Sequence, residues 1–93
     1  MSEVAKLVIV SGEVQGVFFR DSTRRTAKEH GVTGWVRNDP EGTLTAHLEG
    51  PEDGVDAVIE WMRAGGPPAA RVRDVSVRDD EVTGVDRFTI RQR

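Results

Sequence analysis

The chain has no cysteine, which excludes a disulfide framework, an iron–sulfur site and a thiol nucleophile. Histidine is scarce: His30 and His47 alone fall short of a zinc ligand set. Met1 to Lys6 contains no apolar leader, and no apolar run approaches the roughly 20 residues that a membrane span requires. A basic surplus is also missing, since 13 basic residues face 16 acidic ones for a net charge of −3. Nucleic-acid binders usually carry a clear positive balance. Repeats, low-complexity tracts and interdomain linkers are absent. A soluble, intracellular protein is expected, with neither a membrane nor a nucleic acid as partner. Its 93 residues suit one domain over 1–93 with a modest two-layer core, because domains run to about 50–250 residues.

What is present centres on Ser11–Arg20. The apolar run Leu7, Val8, Ile9, Val10 reads as a buried strand ending at Gly12, and Asp21 to His30 reads as a helix without Gly or Pro. A strand, a short turn holding Gly12 and Gly16, then a helix start would present unpaired backbone N–H groups to an anion. Arg20 sits at that junction and offers a planar fork of donors suited to phosphate. The stretch therefore reads as a phosphate cradle.

The other elements follow from periodicity. Val4–Val10 is apolar on both alternating sets, which predicts a central strand covered on both faces. The helix from about Asp21 to His30 is expected to be capped by Asp21 or Ser22 and to stop at Gly31. Its inner face would be Phe19, Thr23, Thr26, Ala27 and His30. Val32–Asn38 and Thr43–Glu49 form a hairpin around Asp39-Pro40-Glu41-Gly42, with Leu44, Ala46 and Leu48 inward. Val55, Val58, Ile59 and Met62 mark an amphipathic helix from Pro51 to about Ala64. Val72–Val77 is a strand in which Val72 is out of phase with Val75 and Val77, which predicts a bulge. Arg87–Arg91 closes the chain with Phe88 and Ile90 inward. The sum is an α+β, ferredoxin-like βαββαβ order plus a short terminal strand, with an antiparallel sheet and both helices on one face.

Each candidate group has an ordinary alternative. Glycines shape many strand-to-helix turns, and an Asn before a turn, as at Asn38, is usually a turn former. Asn38 could instead hold a water beside the cradle, with both a donor and an acceptor to offer. His30 reads as a partly buried packing residue, His47 as exposed, and Asp79-Asp80-Glu81 as a solvated face. Ser11, Ser22 and Ser76 lack an adjacent base. Arg24, Arg25 and Lys28 read as surface charges that could also steer anions. A non-catalytic anion-binding module remains open, as does an RNA-binding domain with Trp35 as its stacking residue.

Gly12-Glu13-Val14-Gln15-Gly16-Val17-Phe18-Phe19-Arg20, then Gly34-Trp35-Val36-Arg37-Asn38 and Gly42, together resemble the acylphosphatase signature. The likeness extends to Glu49-Gly50, Gly66-Pro67-Pro68 and Phe88-Thr89-Ile90-Arg91. It implies a ferredoxin-like fold and a cytoplasmic hydrolase of carboxyl phosphates that uses no metal or other cofactor. By that resemblance Arg20 and the loop N–H groups (Gln15, Gly16, Val17, Phe18 and Phe19) bind the phosphoryl oxygens, and Asn38 positions the attacking water. The expected partner is a small acyl phosphate, and the expected state is a monomer. Glu13 and His30 depart from the family pattern.

Overall fold

The apolar opening of the chain becomes β1 (Glu3–Glu13) in the computed structural model, which describes residues 3–92. There follow α1 (Phe19–Glu29), β2 (Thr33–Asn38), β3 (Leu44–Pro51), α2 (Glu52–Arg63), β4 (Arg71–Asp79) and β5 (Phe88–Arg91). The five strands form one sheet in the order β4-β1-β3-β2-β5. Pairings β1–β3, β1–β4 and β2–β3 are antiparallel. The terminal strand differs from expectation: β5 runs parallel to β2, so the sheet is mixed. The cause is directional. β4 runs opposite to β1 and β2, so a chain that crosses the sheet after β4 must return in the direction of β2.

That topology positions the site. β1, β2 and β5 all run the same way, so Glu13, Asn38 and Arg91 finish at one rim of the sheet. The loop after β1 and the turn after β2 meet there.

Both helices cover one face of the sheet, where Val8, Val10, Val36, Leu44, Ala46 and Leu48 are fully buried. α2 buries Val55, Val58, Ile59 and Met62 at i, i+3, i+4 and i+7, as its apolar stripe predicts. The more polar α1 buries Phe19, Thr23 and Ala27. Thr23 Oγ1 donates back to the Phe19 carbonyl at 2.8 Å, which satisfies a hydroxyl that would otherwise be costly in the core. Phe19 and Trp61 meet edge to face, with centroids 5.5 Å apart.

Several expectations change. α1 begins at Phe19 rather than Asp21, and its N-cap is Phe18 with no side-chain cap. Asp21 instead accepts from Arg24 and Arg25 at 3.2 and 3.1 Å. The second face of β1 is open: with both helices on the other side, Ile9 stays 37% exposed. The two histidines exchange roles. His30 is exposed past the last turn of α1, and His47 is 2% exposed.

His47 is buried because residues 80–87 fold over the open face. Its Nε2 lies 2.6 Å from Glu49 Oε1 and its Nδ1 lies 2.9 Å from Asp80 Oδ2. Asp79, Asp80 and Glu81 stay exposed, as expected, but the Asp80 carboxylate reaches the buried His47 ring. Glu49, equally buried, accepts from the Thr83 hydroxyl and from the Thr83 and Gly84 amides. The expected bulge is present: Ser11 opposes Asp74 while Gly12 opposes Val72, which leaves Arg73 as the extra residue.

Candidate active site

Between β1 and α1 the chain has only Val14 to Phe18 in which to reverse into the helix. Val14 is buried and anchors the loop to the core. Gly16 has φ 74° and Phe18 has φ 62°, while Gln15, Val17 and Phe19 between and beside them have negative φ. Alternation of hand between successive residues turns neighbouring N–H groups toward one concave side, an anion-binding nest. Gly16 takes its positive φ at no steric cost. Phe18 does not, since a bulky residue there is strained by about 1–3 kcal/mol, and it is the one non-glycine with positive φ among the described residues.

Among the described residues, none accepts a hydrogen bond from the amides of Gln15, Gly16, Val17, Phe18, Phe19 or Arg20. The last two are helix-start donors, which have no intrahelical partner. Arg20 lies in the first turn of α1, half-buried, and makes no ion pair among the described residues. It lines a cavity of about 310 Å³ together with Gly16, Phe18, Phe19, Asn38 and Ile90. A polar recess of about 390 Å³ adjoins it, again with Arg20 and Asn38, and with Gln15, Asp39 and Arg91 on its walls. Asn38 ends β2, and its Oδ1 is buried with no hydrogen-bond partner among the described residues. An acceptor in that condition is rare in a folded chain and marks a site that expects a donor.

The turn after Asn38 is held tightly. Asp39 is only 9% exposed, and its carboxylate accepts from Arg37 Nε at 3.0 Å, Thr43 Oγ1 at 2.8 Å and Thr45 Oγ1 at 2.6 Å. Burial alone would raise its pKa. The Thr45, Thr43 and Arg37 hydrogen bonds overcome that and hold it below the ordinary value. Gln15 Nε2 donates to the carbonyls of Asp39 and Thr43 at 2.8 and 3.0 Å, which ties the cradle loop to the hairpin.

Comparison with known proteins identifies the family. The Acylphosphatase family model matches residues 6–90. The chain belongs to the acylphosphatase family. It is 55% identical over 85 residues to an acylphosphatase of Haloquadratum walsbyi, covering 91% of this chain and 90% of that one. Among solved structures it is similar to an acylphosphatase from Coxiella burnetii, with TM-score 0.91 and 39% identity over 96% of this chain and 93% of that one. It is also similar to the acylphosphatase from Bacillus subtilis, with TM-score 0.89 and 34% identity over 94% and 97%.

In this acylphosphatase-family chain Glu13 is exposed and faces Arg71 across the β1–β4 ladder, Nε to Oε1 3.8 Å. Its charge is directed to the sheet edge. Trp35 stacks on His47 with centroids 5.9 Å apart, and Arg37 and Arg91 lie 5.0 and 4.5 Å from its ring centroid. A larger open groove of about 910 Å³ runs beside α1, lined by Arg24, Arg25, Lys28 and Arg87 but by neither Arg20 nor Asn38. Sequence reading missed the Asp39 hub and the side-chain role of Gln15. Asp39 looked like turn chemistry alone, and the Thr43 and Thr45 hydroxyls that face it were the only available signal.

Proposed function

We propose that the chain hydrolyses acyl phosphates to a carboxylate and inorganic phosphate, with the cradle as the phosphoryl site. The amides of Gln15, Gly16, Val17, Phe18 and Phe19 and the Arg20 guanidinium meet the phosphoryl oxygens. Asn38 Oδ1 accepts from a water and aims it at phosphorus. As the water oxygen bonds to phosphorus, the bond from phosphorus to the acyl oxygen breaks and the carboxylate leaves with the electron pair. The water proton passes to a phosphoryl oxygen of the substrate. A carboxylate is a good leaving group, so positioning and charge stabilisation suffice without a neutral-range base. The observation that carries the reading is the meeting, around the same cavity, of amides, an arginine and a buried Asn38 oxygen that have no partner among the described residues.

In this reading the charge of the phosphoryl group is met by protein donors, so no metal is required. Residues 1–93 act as one domain in the cytoplasm, and every group named comes from one chain, as a working monomer needs. A role in nucleic-acid binding is disfavoured because the ring of Trp35 is already occupied by His47, Arg37 and Arg91.

The test is turnover of acetyl phosphate with a chelator present, by the parent and by Arg20→Gln. The parent should turn over at an undiminished rate in chelator. Arg20→Gln should lose at least about 10²–10³-fold, the usual effect of removing one stabilising donor, while its circular dichroism stays unchanged. A variant that keeps near-parental turnover would remove Arg20 from the site.

A further inference from the structure

Among the described residues only two carboxylates are buried, Asp39 and Glu49. Glu49 secures the segment over the open sheet face. Asp39 lies next to Asn38, and a turn alone would be served by an exposed Asp. A buried carboxylate is costly unless its oxygens are fully bonded, and this one takes three donors. They come from both strands of the hairpin: Arg37 on β2, and Thr45 opposite it on β3 with Thr43 just before that strand. The side chain therefore clamps the hairpin at its last rungs, where Asn38 opposes Leu44.

The main chain of the same residue reaches the other half of the site. The Asp39 carbonyl accepts from the Gly42 amide at 3.0 Å and from Gln15 Nε2 at 2.8 Å, and the Asp39 amide donates to the Thr43 carbonyl at 2.9 Å. Gln15 belongs to the cradle loop. Asp39 is thus the joint between the loop that holds the phosphoryl group and the residue that holds the water.

The geometry points to Asp39 as a positioning residue: its clamped carboxylate sets the Asn38 carboxamide against the phosphoryl group. This rests on the assignment of Asn38 made above. Misplacement of a reacting group by about an ångström can cost on the order of 10²-fold, so a partly relaxed turn should cost about tenfold.

The experiment compares the parent, Asp39→Ala, Asp39→Asn, Asn38→Ala and the Asn38→Ala/Asp39→Ala double variant on acetyl phosphate, with inorganic phosphate as a competitive inhibitor. Asp39→Ala is expected to lower kcat about tenfold while KM and phosphate inhibition move by less than about twofold. Asp39→Asn, which keeps the shape and an acceptor for Arg37, should restore most of the rate. In the Asn38→Ala background Asp39→Ala should cost less than about twofold, because a residue acting through Asn38 has nothing left to position. An equal loss in both backgrounds, or an unchanged kcat in Asp39→Ala, would overturn the proposal. Should Asp39→Ala fail to fold, Thr45→Val removes one donor and is expected to lower kcat in the same direction; a parental kcat there would overturn it as well. Failure of the underlying reading appears separately, as undiminished turnover in the Asn38→Ala single variant.

Discussion

Asn38 Oδ1 is a buried acceptor with no donor among the described residues, a condition that costs a fold about 1–3 kcal/mol. Its loss should cost the fold nothing, whereas its loss to catalysis should be large. Asn38→Ala is therefore expected to melt within a few degrees of the parent and to lower kcat about 10²-fold, with inorganic phosphate still inhibiting. Loss of phosphate inhibition together with turnover would make Asn38 a binding or structural residue. Phe18 carries a comparable cost at the backbone, since its φ of 62° is strained for a bulky residue and lies in the same loop.

At the level of elements, the cradle depends on how the start of α1 is seated. Phe19 is both the first residue of that helix and a buried core residue. A Cβ added to Gly66, whose φ is 65°, would lie 2.6 Å from the Phe19 ring. Gly66→Ala thus combines left-handed strain with overpacking, each worth about 1–3 kcal/mol. It should lower urea-unfolding stability by at least about 1 kcal/mol and weaken phosphate inhibition by displacing the first amides of α1. Parental phosphate inhibition in a destabilised Gly66→Ala would mean that the seating of Phe19 does not control the cradle.

For the molecule as a whole, the network that seals the open sheet face is a source of acid sensitivity. Burial pushes the Glu49 carboxyl up, but the Thr83 hydroxyl, His47 and the Thr83 and Gly84 amides outweigh this and bring its pKa from 4.5 to about 2. A pKa lower in the folded than in the unfolded chain stabilises the fold above about pH 4.5 and ceases to do so as pH falls toward about 2. The contribution at neutral pH is on the order of 3 kcal/mol. Urea unfolding at pH 7 and pH 3 should show the parent losing much of that difference and Glu49→Gln losing less, the remaining loss coming from Asp39, whose carboxyl is also held below its ordinary value. Equal acid sensitivity of the two proteins would place the acid-labile group elsewhere.

Local pattern determined the elements of this protein, because a 3.6-residue or two-residue apolar period states which face must leave water. Val55 to Met62, the alternation of Leu44, Ala46 and Leu48, and the phase break at Val72 were all legible for that reason, and the glycines marked the loop between strand and helix. The tertiary structure alone decided the direction of β5, the burial of His47 and Glu49, and the tie from Gln15 to the Asp39 carbonyl. Each depends on a partner far away in the chain: Asp80 and Thr83 for the network, β2 for the last strand, Gln15 for the turn. A polar side chain next to a turn looks solvated in a sequence; the donors to the Asp39 carboxylate, Arg37, Thr43 and Thr45, are close in the chain, but only the folded hairpin turns all three onto one carboxylate.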